Sequence, residues 1–357
     1  MAESGGYWDS LEECAKATQS TLIPGVVEED ILKNPPLASV PVQQATGTGT
    51  SIKWLRQGTL DIASVADFDI GEELLWTKGG NYTPVETSLK RCYKAIKLDN
   101  FVQEIHKTVN NYEEMAMGEC ENLVMRKLNM KYLYDDAVYG SAKQFNGLHA
   151  LAALNDTGAA ADGILDIDNG EAGFSLWNLR TAIDNMKYGV DEILMPTIIF
   201  RYFCQAYEER GFAALATGTA GNLSLITRDA AEIGKPITYR FNGVKITPTD
   251  FLLPEQVNTG RGTTLRALWS SGTVGYSVFL LKYGSILAPS GPKKNPGMSL
   301  GFGNTKGMGD FFKLDVFDKL PNYDAKGIRL INYSAPLLGS KLCLTRIHDI
   351  TAAAITV

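Results

Sequence analysis

The sequence predicts an α+β fold, and two observations lead to this prediction. One segment of the chain, residues 110–151, has the pattern of an unusually long helix. The remaining strand-like segments do not alternate regularly with helices, which argues against a doubly wound parallel sheet. With 357 residues, the chain is long enough for about two domains with a substantial core.

The long helix is predicted over residues 112–139. Asn111 suits the N-cap position, Glu114 completes a capping box, and Gly140 is a plausible C-terminal stop. The helix would hold roughly 28 residues and measure about 42 Å. Its apolar positions are Ala116, Met117, Cys120, Leu123, Val124 and Leu128, and its polar positions include Glu114, Glu121, Arg126, Lys127 and Lys131. Such a helix either lies across a sheet or forms the spine of an assembly subunit.

Residues 1–38 are predicted to form an N-terminal arm. Prolines and glycines, from Pro24 to Pro36, divide this segment into pieces too short for a core of their own. The arm therefore lies on its own domain or on a neighbouring subunit, unless it is a frayed terminus. If the arm lies on a neighbouring subunit, Trp8 and Leu11 are candidates for intersubunit contact.

Residues 39–98 are predicted to form a long β-hairpin. Apolar and polar residues alternate in SIKWLRQ (51–57) and again in TPVETSLKRCYKAIKLDN (83–100). A two-stranded ribbon is marginal alone in water, so we expect another subunit to cover it. The candidate contact residues here are Trp54, Trp76, Lys90 and Arg91. Alternatively, the charges at 90 and 91 only protect a sheet edge.

The second half of the chain contains further helices and strands. Ser175 is predicted to cap a helix that stops at Gly189, and VDEILMPT is predicted to be a buried strand. A second helix should end at Gly211, and the Asn242-Gly243 dipeptide predicts a hairpin turn. LHALAALN is predicted to belong to a loop, TTLRALWSS and GYSVFLLKYGSILAP to strands, and the segments after residue 310 to closing strands that return to the long helix.

The sequence lacks the common motifs of catalysis and cofactor binding. It has three histidines, and no zinc-protease motif, nucleophile elbow or Walker A loop. Two DxDxG runs, beginning at Asp67 and Asp166, lack the final glutamate of a calcium-binding loop and are predicted to be acidic turns. We therefore expect no catalytic residue, metal or cofactor.

Composition excludes other classes of function. The net charge of −6 argues against a protein that holds nucleic acid electrostatically. No apolar run is long enough for a membrane helix, and the first residues do not form a secretory signal. The five scattered cysteines suit reduced thiols in a cytoplasm.

The order of these elements resembles the major capsid proteins of tailed double-stranded-DNA phages, which have the Hong Kong 97-type fold. The resemblance rests on QFNGLHAL after the long helix, on DEILMPTIIFRYF, and on the segments from GYSVFLLKYGSILAP to LTRIHDIT. It implies an N-terminal arm (1–38), an extended loop (39–98), a peripheral domain with the spine helix (99–150), an axial domain (151–309) and closing strands (310–357).

The resemblance also implies a function. The chain would be a structural protein that assembles with itself into hexamers and pentamers of an icosahedral head in the host cytoplasm, around double-stranded DNA and without sequence-specific contact. Portal, scaffolding and decoration proteins would be its partners. The chain lacks the long acidic leader that some members carry as a fused scaffold, and no cross-linking residue can be assigned. The alternatives are an encapsulin-like nanocompartment shell and an unrecognised cytoplasmic enzyme.

Overall fold

The structure is a computed structural model. It describes residues 30–45, 51–58, 60, 62–65, 67–73, 80–101, 104, 112–155, 165–216, 226–228, 239–287, 295–303, 311–321 and 323–356. Within these ranges, the side chains of residues 112, 155, 207–216, 226–228 and 356 are not described.

Four helices and sixteen strands lie in the described part of the chain. The helices are α1 (Tyr112–Tyr134), α2 (Leu148–Asn155), α3 (Leu176–Asn185) and α4 (Thr197–Ala216). The strands of the first half are β1 (Val42–Ala45), β2 (Ser51–Gln57), β3 (Tyr82–Ser88), β4 (Lys90–Asp99), β5 (Asp166–Asp168), β6 (Gly173–Ser175) and β7 (Glu192–Pro196). Those of the second half are β8 (Ile226–Arg228), β9 (Tyr239–Phe241), β10 (Val244–Thr249), β11 (Glu255–Gln256), β12 (Val274–Leu281), β13 (Met298–Gly303), β14 (Lys313–Phe317), β15 (Ala325–Leu338) and β16 (Leu344–Thr356). None of the described helices is both long and apolar enough to cross a membrane.

A nine-stranded sheet forms the centre of the larger core. Its main order is β5-β16-β12-β7-β10-β9-β8, with β11 on β12 and β6 on β16. Successive residues of β7 and β12 point to opposite faces: Ile193 and Leu280 pack with α3 and α4, whereas Leu194 and Phe279 pack towards α1. Because both faces are covered, β7 is apolar at nearly every position, as expected for a fully buried strand.

A five-stranded sheet lies under the N-terminal half of α1. Its order is β1-β13-β15-β14, with β4 along the other side of β15. Leu98 and Ile328 of this sheet pack on Ala116 of α1. The two closing strands thus divide between the sheets, because β15 lies beneath α1 whereas β16 pairs with β12 in the larger sheet.

The long helix ends earlier than the sequence predicts. It begins at Tyr112 as expected but ends at Tyr134 instead of 139. Asp136 Oδ1 accepts hydrogen bonds from the N–H groups of Val138 and Tyr139, at 2.8 and 2.9 Å. These side-chain bonds replace the helical ones and turn the chain. Lys131, predicted on the polar side of the helix, is instead buried, and its Nζ lies 3.3 Å from Asp135 Oδ2.

Three further predictions of secondary structure were wrong. LHALAALN forms α2 because Leu148 and Ala152 are buried against the core. Helix α4 continues through Gly211 to Ala216, where alanines, the best helix formers, follow the glycine. TTLRALWSS contributes only an isolated bridge at Leu268, because its Arg266 turns inwards to a buried glutamate.

Other local predictions are confirmed. Ser175 caps α3 and accepts a hydrogen bond from Asn178 N–H at 3.3 Å. Asn242 and Gly243 have φ values of 49° and 83°, which suit the two-residue turn between β9 and β10. The predicted strand VDEILMPT is the buried strand β7.

Candidate self-assembly surface

The hairpin predicted from alternating residues forms as a separate two-stranded sheet. Strands β2 and β3 are antiparallel, from the pair Ser51–Ser88 to the pair Gln57–Tyr82. β3 is followed by Leu89 and then by β4, which belongs to the five-stranded sheet. The long alternating segment is therefore two strands in two sheets.

Trp54 and Arg56 lie on the side of the hairpin that faces the rest of the chain. The Arg56 guanidinium donates hydrogen bonds to the carbonyl oxygens of Gly339 (2.8 Å) and Leu338 (2.6 Å). Its Cζ lies 5.9 Å from the centroid of the Trp54 ring. Leu55, on the opposite side, is 68% exposed. The base of the hairpin is thus fixed by its own subunit, while its other side faces solvent.

The residues between β2 and β3 carry a concentration of exposed apolar side chains. We call the described residues 60–73 the assembly loop. Its exposed large apolar residues are Leu60, Ile62, Val65, Phe68 and Ile70, at 65, 82, 78, 66 and 101%. Apolar residues exposed singly are normal on a protein surface, but five of them within one short stretch make it a candidate interaction site.

The assembly loop is also acidic. Asp67, Asp69, Glu72 and Glu73 lie within it, and no lysine or arginine occurs between Arg56 and Lys78. The backbone is organised locally, since Glu72 accepts a hydrogen bond from Asp69 N–H at 2.9 Å. The loop therefore offers a partner both apolar area and negative charge.

The remaining predicted contact residues are distributed unevenly. Lys90 donates to the Ala142 carbonyl oxygen at 2.7 Å, and the Arg91 guanidinium lies 5.6 Å from the Tyr333 ring centroid. Both of these contacts are within the subunit. Trp8, Leu11 and Trp76 lie outside the described residues.

A second cluster of polar residues is buried where α1 and α2 meet β11, β12 and β16. His149 Nε2 lies 2.8 Å from Glu255 Oε1, and His149 Nδ1 lies 2.7 Å from the Leu133 carbonyl oxygen. Ser277 donates to the other Glu255 oxygen at 2.8 Å. Arg266 lies 3.4 Å from Glu255 and stacks over the Tyr134 ring, 3.8 Å from its centroid. We call these residues the polar junction.

A charged chain of residues continues from the polar junction along β16. Arg346 Nε lies 2.8 Å from Asp166 Oδ1, and His348 Nδ1 lies 3.1 Å from Asp349 Oδ2. Ligand atoms of Asp168, His348 and Asp349 lie within 4.8 Å of one another, a spacing that could hold a metal ion. However, Arg261 Nη2 already lies 2.7 and 2.8 Å from the two carboxylates. The guanidinium thus supplies the positive charge at this position.

Burial and charge shift the pKa values at the polar junction. Burial lowers the pKa of His149 to about 4, and the nearby Glu255 carboxylate only partly opposes this shift. Burial alone would raise the pKa of Glu255, but His149, Arg266 and Arg346 hold it well below its ordinary value. The Glu255 carboxylate is therefore ionised near pH 7.

The polar junction does not form a nucleophile–base pair. Ser277 and His149 both bond to Glu255, on different oxygens, and not to each other. An activated serine needs its hydroxyl on the imidazole. The small cavity beside the junction is lined by Tyr134, Tyr139, His149 and Arg266 among others. The arrangement ties secondary-structure elements together.

Comparison with solved structures gives a consistent result. The encapsulin of the holo-SrpI complex from Synechococcus elongatus PCC 7942 superimposes with a TM-score of 0.59 and 9% identity, over 96% of this chain and 97% of the other. The capsid of the native GTA particle gives 0.56 and 11%, over 95% and 99%. The cyanophage Pam1 capsid gives 0.53 and 10%, over 99% and 100%.

The chain has the shell-protein fold of phage capsids and encapsulins. The predicted α+β class and the resemblance to phage major capsid proteins are therefore confirmed for the fold. No family model and no curated protein matches the sequence. At 9–11% identity, the sequence keeps the pattern of elements while nearly every residue differs.

The sequence analysis missed the polar junction of this shell fold. His149 lies in LHALAALN, Glu255 follows Pro254, and Arg346 interrupts the apolar closing strand β16. A charged residue inside an otherwise buried strand needs a buried partner, and this was the available signal. It could not identify the partner, because Asp166 and Arg346 are 180 positions apart.

Proposed function

We propose that this chain is the major capsid protein of a tailed phage. It assembles with itself into hexamers and pentamers of an icosahedral head, in the host cytoplasm, and encloses double-stranded DNA. The observation that carries the proposal is the exposed assembly loop on a shell-protein fold. In this role the chain is structural and not catalytic.

Within the proposed shell, segments have different tasks. Residues 1–38 act as the arm, 39–98 as the extended loop, 99–150 as the peripheral domain, 151–309 as the axial domain, and 310–357 as the closing strands. Trp54, Trp76, Lys90 and Arg91 would serve contacts of the extended loop, and Trp8 and Leu11 those of the arm. Leu55, on the exposed side of the hairpin, supports a contact made by the extended loop. Trp54, Lys90 and Arg91 also contact their own subunit.

Burial of the assembly loop supplies a driving force for association. Full burial of one large apolar side chain contributes about 1.5–3 kcal/mol. Five such residues would therefore contribute on the order of 10 kcal/mol per loop, before the cost of immobilising the loop is subtracted. Because each subunit both gives and receives a loop, the contacts are heterologous and close into rings.

The proposed partners follow from the same role. A portal and a separate scaffolding protein would take part in assembly, and a decoration protein could bind the finished shell. The acidic chain would contact the enclosed DNA weakly and without sequence preference, since its net charge is −6.

An encapsulin-like nanocompartment shell is the second candidate. The encapsulin chain superimposes with a TM-score of 0.59 and the GTA capsid with 0.56, so the fold supports both candidates almost equally. The two functions differ in their contents, which are nucleic acid for the phage head and cargo protein for the nanocompartment.

The first experiment is to purify the full chain and determine its mass distribution by light scattering, with negative-stain electron microscopy on the same sample. We expect closed particles, or rings of five and six subunits, alone or with the scaffolding protein. A stable monomer or dimer, even with a scaffold and a crowding agent, would refute the shell function and direct attention to enzymatic activity.

The second experiment tests the assembly loop and the contents of the shell. A chain that lacks residues 60–82 should remain folded and fail to assemble; normal shells from it would contradict the proposed role of the loop. The exposed residue Tyr188 of the α3–β7 connection gives a control, since Tyr188→Ser should leave assembly intact. Nuclease-protected DNA in shells from infected cells indicates a phage head, and a co-purified protein cargo indicates a nanocompartment.

A further inference from the structure

The part of the five-stranded sheet formed by β4, β14 and the first half of β15 has one covered face and one open face. In antiparallel strands, residues that pair directly point to the same side. The pairings of β4, β15 and β14 therefore place thirteen residues on the face away from α1. They are Arg91, Tyr93, Ala95, Lys97 and Asp99 of β4, Ala325, Gly327, Arg329, Ile331 and Tyr333 of β15, and Lys313, Asp315 and Phe317 of β14.

Burial distinguishes the two faces. Eleven of the thirteen residues are not buried, the exceptions being Ala325 and Gly327, and Tyr93 is 69% exposed. On the other face Leu98, Ile328 and Leu330 are buried in the cores beneath α1. The open face is therefore a solvent-accessible surface among the described residues.

The open face has the opposite charge sign to the whole chain. It carries four cations, Arg91, Lys97, Lys313 and Arg329, and two anions, Asp99 and Asp315. Asp315 lies 3.2 Å from Lys313 and 2.8 Å from Arg329, so the excess positive charge is concentrated on β4. The complete chain has 34 basic and 40 acidic residues. A local positive surface on an acidic protein can attract a polyanion although the protein as a whole does not.

Aromatic rings are interleaved with these cations. Arg91 lies over Tyr333, Arg329 over Phe317, and Lys97 over Tyr323, which adjoins the face, at 5.6, 5.1 and 4.4 Å from the ring centroids. Each ring restricts a long cationic side chain to the surface, so less conformational entropy is lost when that cation meets an anion. Tyr93 adds an exposed ring among them.

We propose that this open face binds single-stranded nucleic acid. Phosphates would lie on the four cations, and bases would stack on Tyr93 and on the ring–guanidinium pairs. Sheet faces that combine exposed aromatic rings with basic residues suit unpaired bases, because every base offers a flat face and no particular hydrogen-bond pattern is needed. A duplex hides its bases and cannot use the rings in this way. The proposal does not depend on whether the chain forms a shell.

The test is fluorescence anisotropy of a labelled oligothymidylate with the full-length protein at several salt concentrations. We expect saturable binding whose logarithmic salt dependence has a slope between about −1.4 and −2.8. Each cation contributes about −0.7 for single strands, and Lys313 and Arg329 are ion-paired with Asp315. A duplex of equal length should bind more weakly. No binding at low salt, or a preference for the duplex, would overturn the proposal.

Variants locate the site. The double variant Arg91→Glu/Lys97→Glu should weaken binding by about tenfold or more and flatten the slope by about 1.4, that is about 0.7 for each cation removed. Tyr93→Ala should weaken it at least about fivefold with the slope unchanged. Matched controls on the α3–β7 connection, Lys187→Glu and Tyr188→Ala, should have no effect.

Two checks keep the result interpretable. Circular dichroism melting must show that each variant is folded, and Lys313→Glu on β14 tests the same face from another strand. Binding that ignores all three β4 and β14 changes would overturn the proposal. The proposal would also be overturned if a synthetic peptide of residues 60–73 bound and the oligonucleotide did not. The open face would then be a site for an acidic protein segment.

Discussion

The polar junction and the assembly loop violate the usual distribution of residues in opposite ways. The junction buries charge, whereas the loop exposes apolar side chains. Glu255 is 4% exposed and has His149, Ser277 and Arg266 as partners in its own chain. Ile70 is fully exposed and belongs to none of the hydrophobic clusters formed by the described residues. The junction is complete in one subunit, whereas the role we propose for the loop requires another.

This difference gives a way to separate folding from assembly. A change at the junction should act on the stability of the subunit, because all partners are intramolecular. A change in the loop should act on association, because the loop contributes little to the subunit's own core. The predictions below are ordered by their expected effect on subunit stability.

The largest effect is expected for Glu255→Ala. Removal of this carboxylate leaves the buried Arg266 without the one anion that pairs with it among the described residues. Loss of one partner of a buried ion pair costs about 3–5 kcal/mol. Urea unfolding of the variant should show this loss in the free energy of unfolding. Glu121→Ala on the exposed side of α1 is the matched control and should change stability by less than about 0.5 kcal/mol. Equal effects of the two would show that the junction is not special.

The next effect concerns pH. The pKa of His149 falls from 6.5 in the unfolded chain to about 4 in the folded protein, so the unfolded state binds a proton that the folded state does not. Stability should therefore be complete above pH 6.5 and fall by about 3 kcal/mol as pH drops to about 4. The lowered pKa of Glu255 acts in the same direction below pH 4.5, since the folded carboxylate resists protonation.

The variant His149→Gln tests the source of this pH dependence. Urea unfolding between pH 7 and pH 4 should show a flatter profile than in the unchanged chain, because glutamine does not titrate. If stability of the unchanged chain instead rises on acidification, the folded ring holds both protons. Its two nitrogens each face an acceptor, at 2.7 and 2.8 Å, so that outcome would identify a cationic histidine.

Two glycines provide a test with smaller effects, in which the two expected changes in stability have opposite signs. A Cβ on Gly147 would lie 2.7 and 2.8 Å from the carbonyl oxygens of Lys131 and Tyr132, and backbone atoms cannot easily yield. Gly147→Ala should destabilise the subunit by about 1–3 kcal/mol. A Cβ on Gly118, within α1, meets nothing within 4 Å, so Gly118→Ala should stabilise it by about 0.5–1 kcal/mol. Thermal unfolding of both variants measures the difference; effects of one sign would contradict the packing argument.

These sites show what the sequence could predict. Local patterns were sufficient where neighbours in sequence decide the structure, as at the Ser175 cap, the Asn242-Gly243 turn and the buried strand β7. The exposed hairpin was also predictable, because a ribbon with little core is visible in the alternation alone. The end of α1 was missed, because Asp136 ends the helix through its side-chain bonds and not through glycine or proline.

The polar junction could not be predicted for a different reason. Its members come from α1, α2, β11, β12 and the segment between β11 and β12, and only the tertiary fold brings them together. Arg266 illustrates the difficulty: its segment has the composition of a strand, yet one buried carboxylate draws it out of the sheet. Long-range charge pairing overrides local propensity here. For the assembly loop, by contrast, the exposed residues lie within one short stretch of the sequence.

The smallest effect on stability is expected in the assembly loop, with the largest effect on assembly. The variant Phe68→Ser/Ile70→Ser removes two apolar side chains that are 66 and 101% exposed in the subunit. The free energy of unfolding should change by less than about 0.5 kcal/mol. The lost burial in a neighbour, about 1.5–3 kcal/mol for each side chain, recurs at every contact of a ring. Light scattering should therefore show subunits where the unchanged chain forms particles.

Asp69→Asn, a change of charge beside the same residues, should instead leave assembly intact and reduce its salt dependence, because screened surface charges contribute little. Particles from the serine variant would mean that the loop is solvent-exposed in the assembly as well, and that another surface joins the subunits.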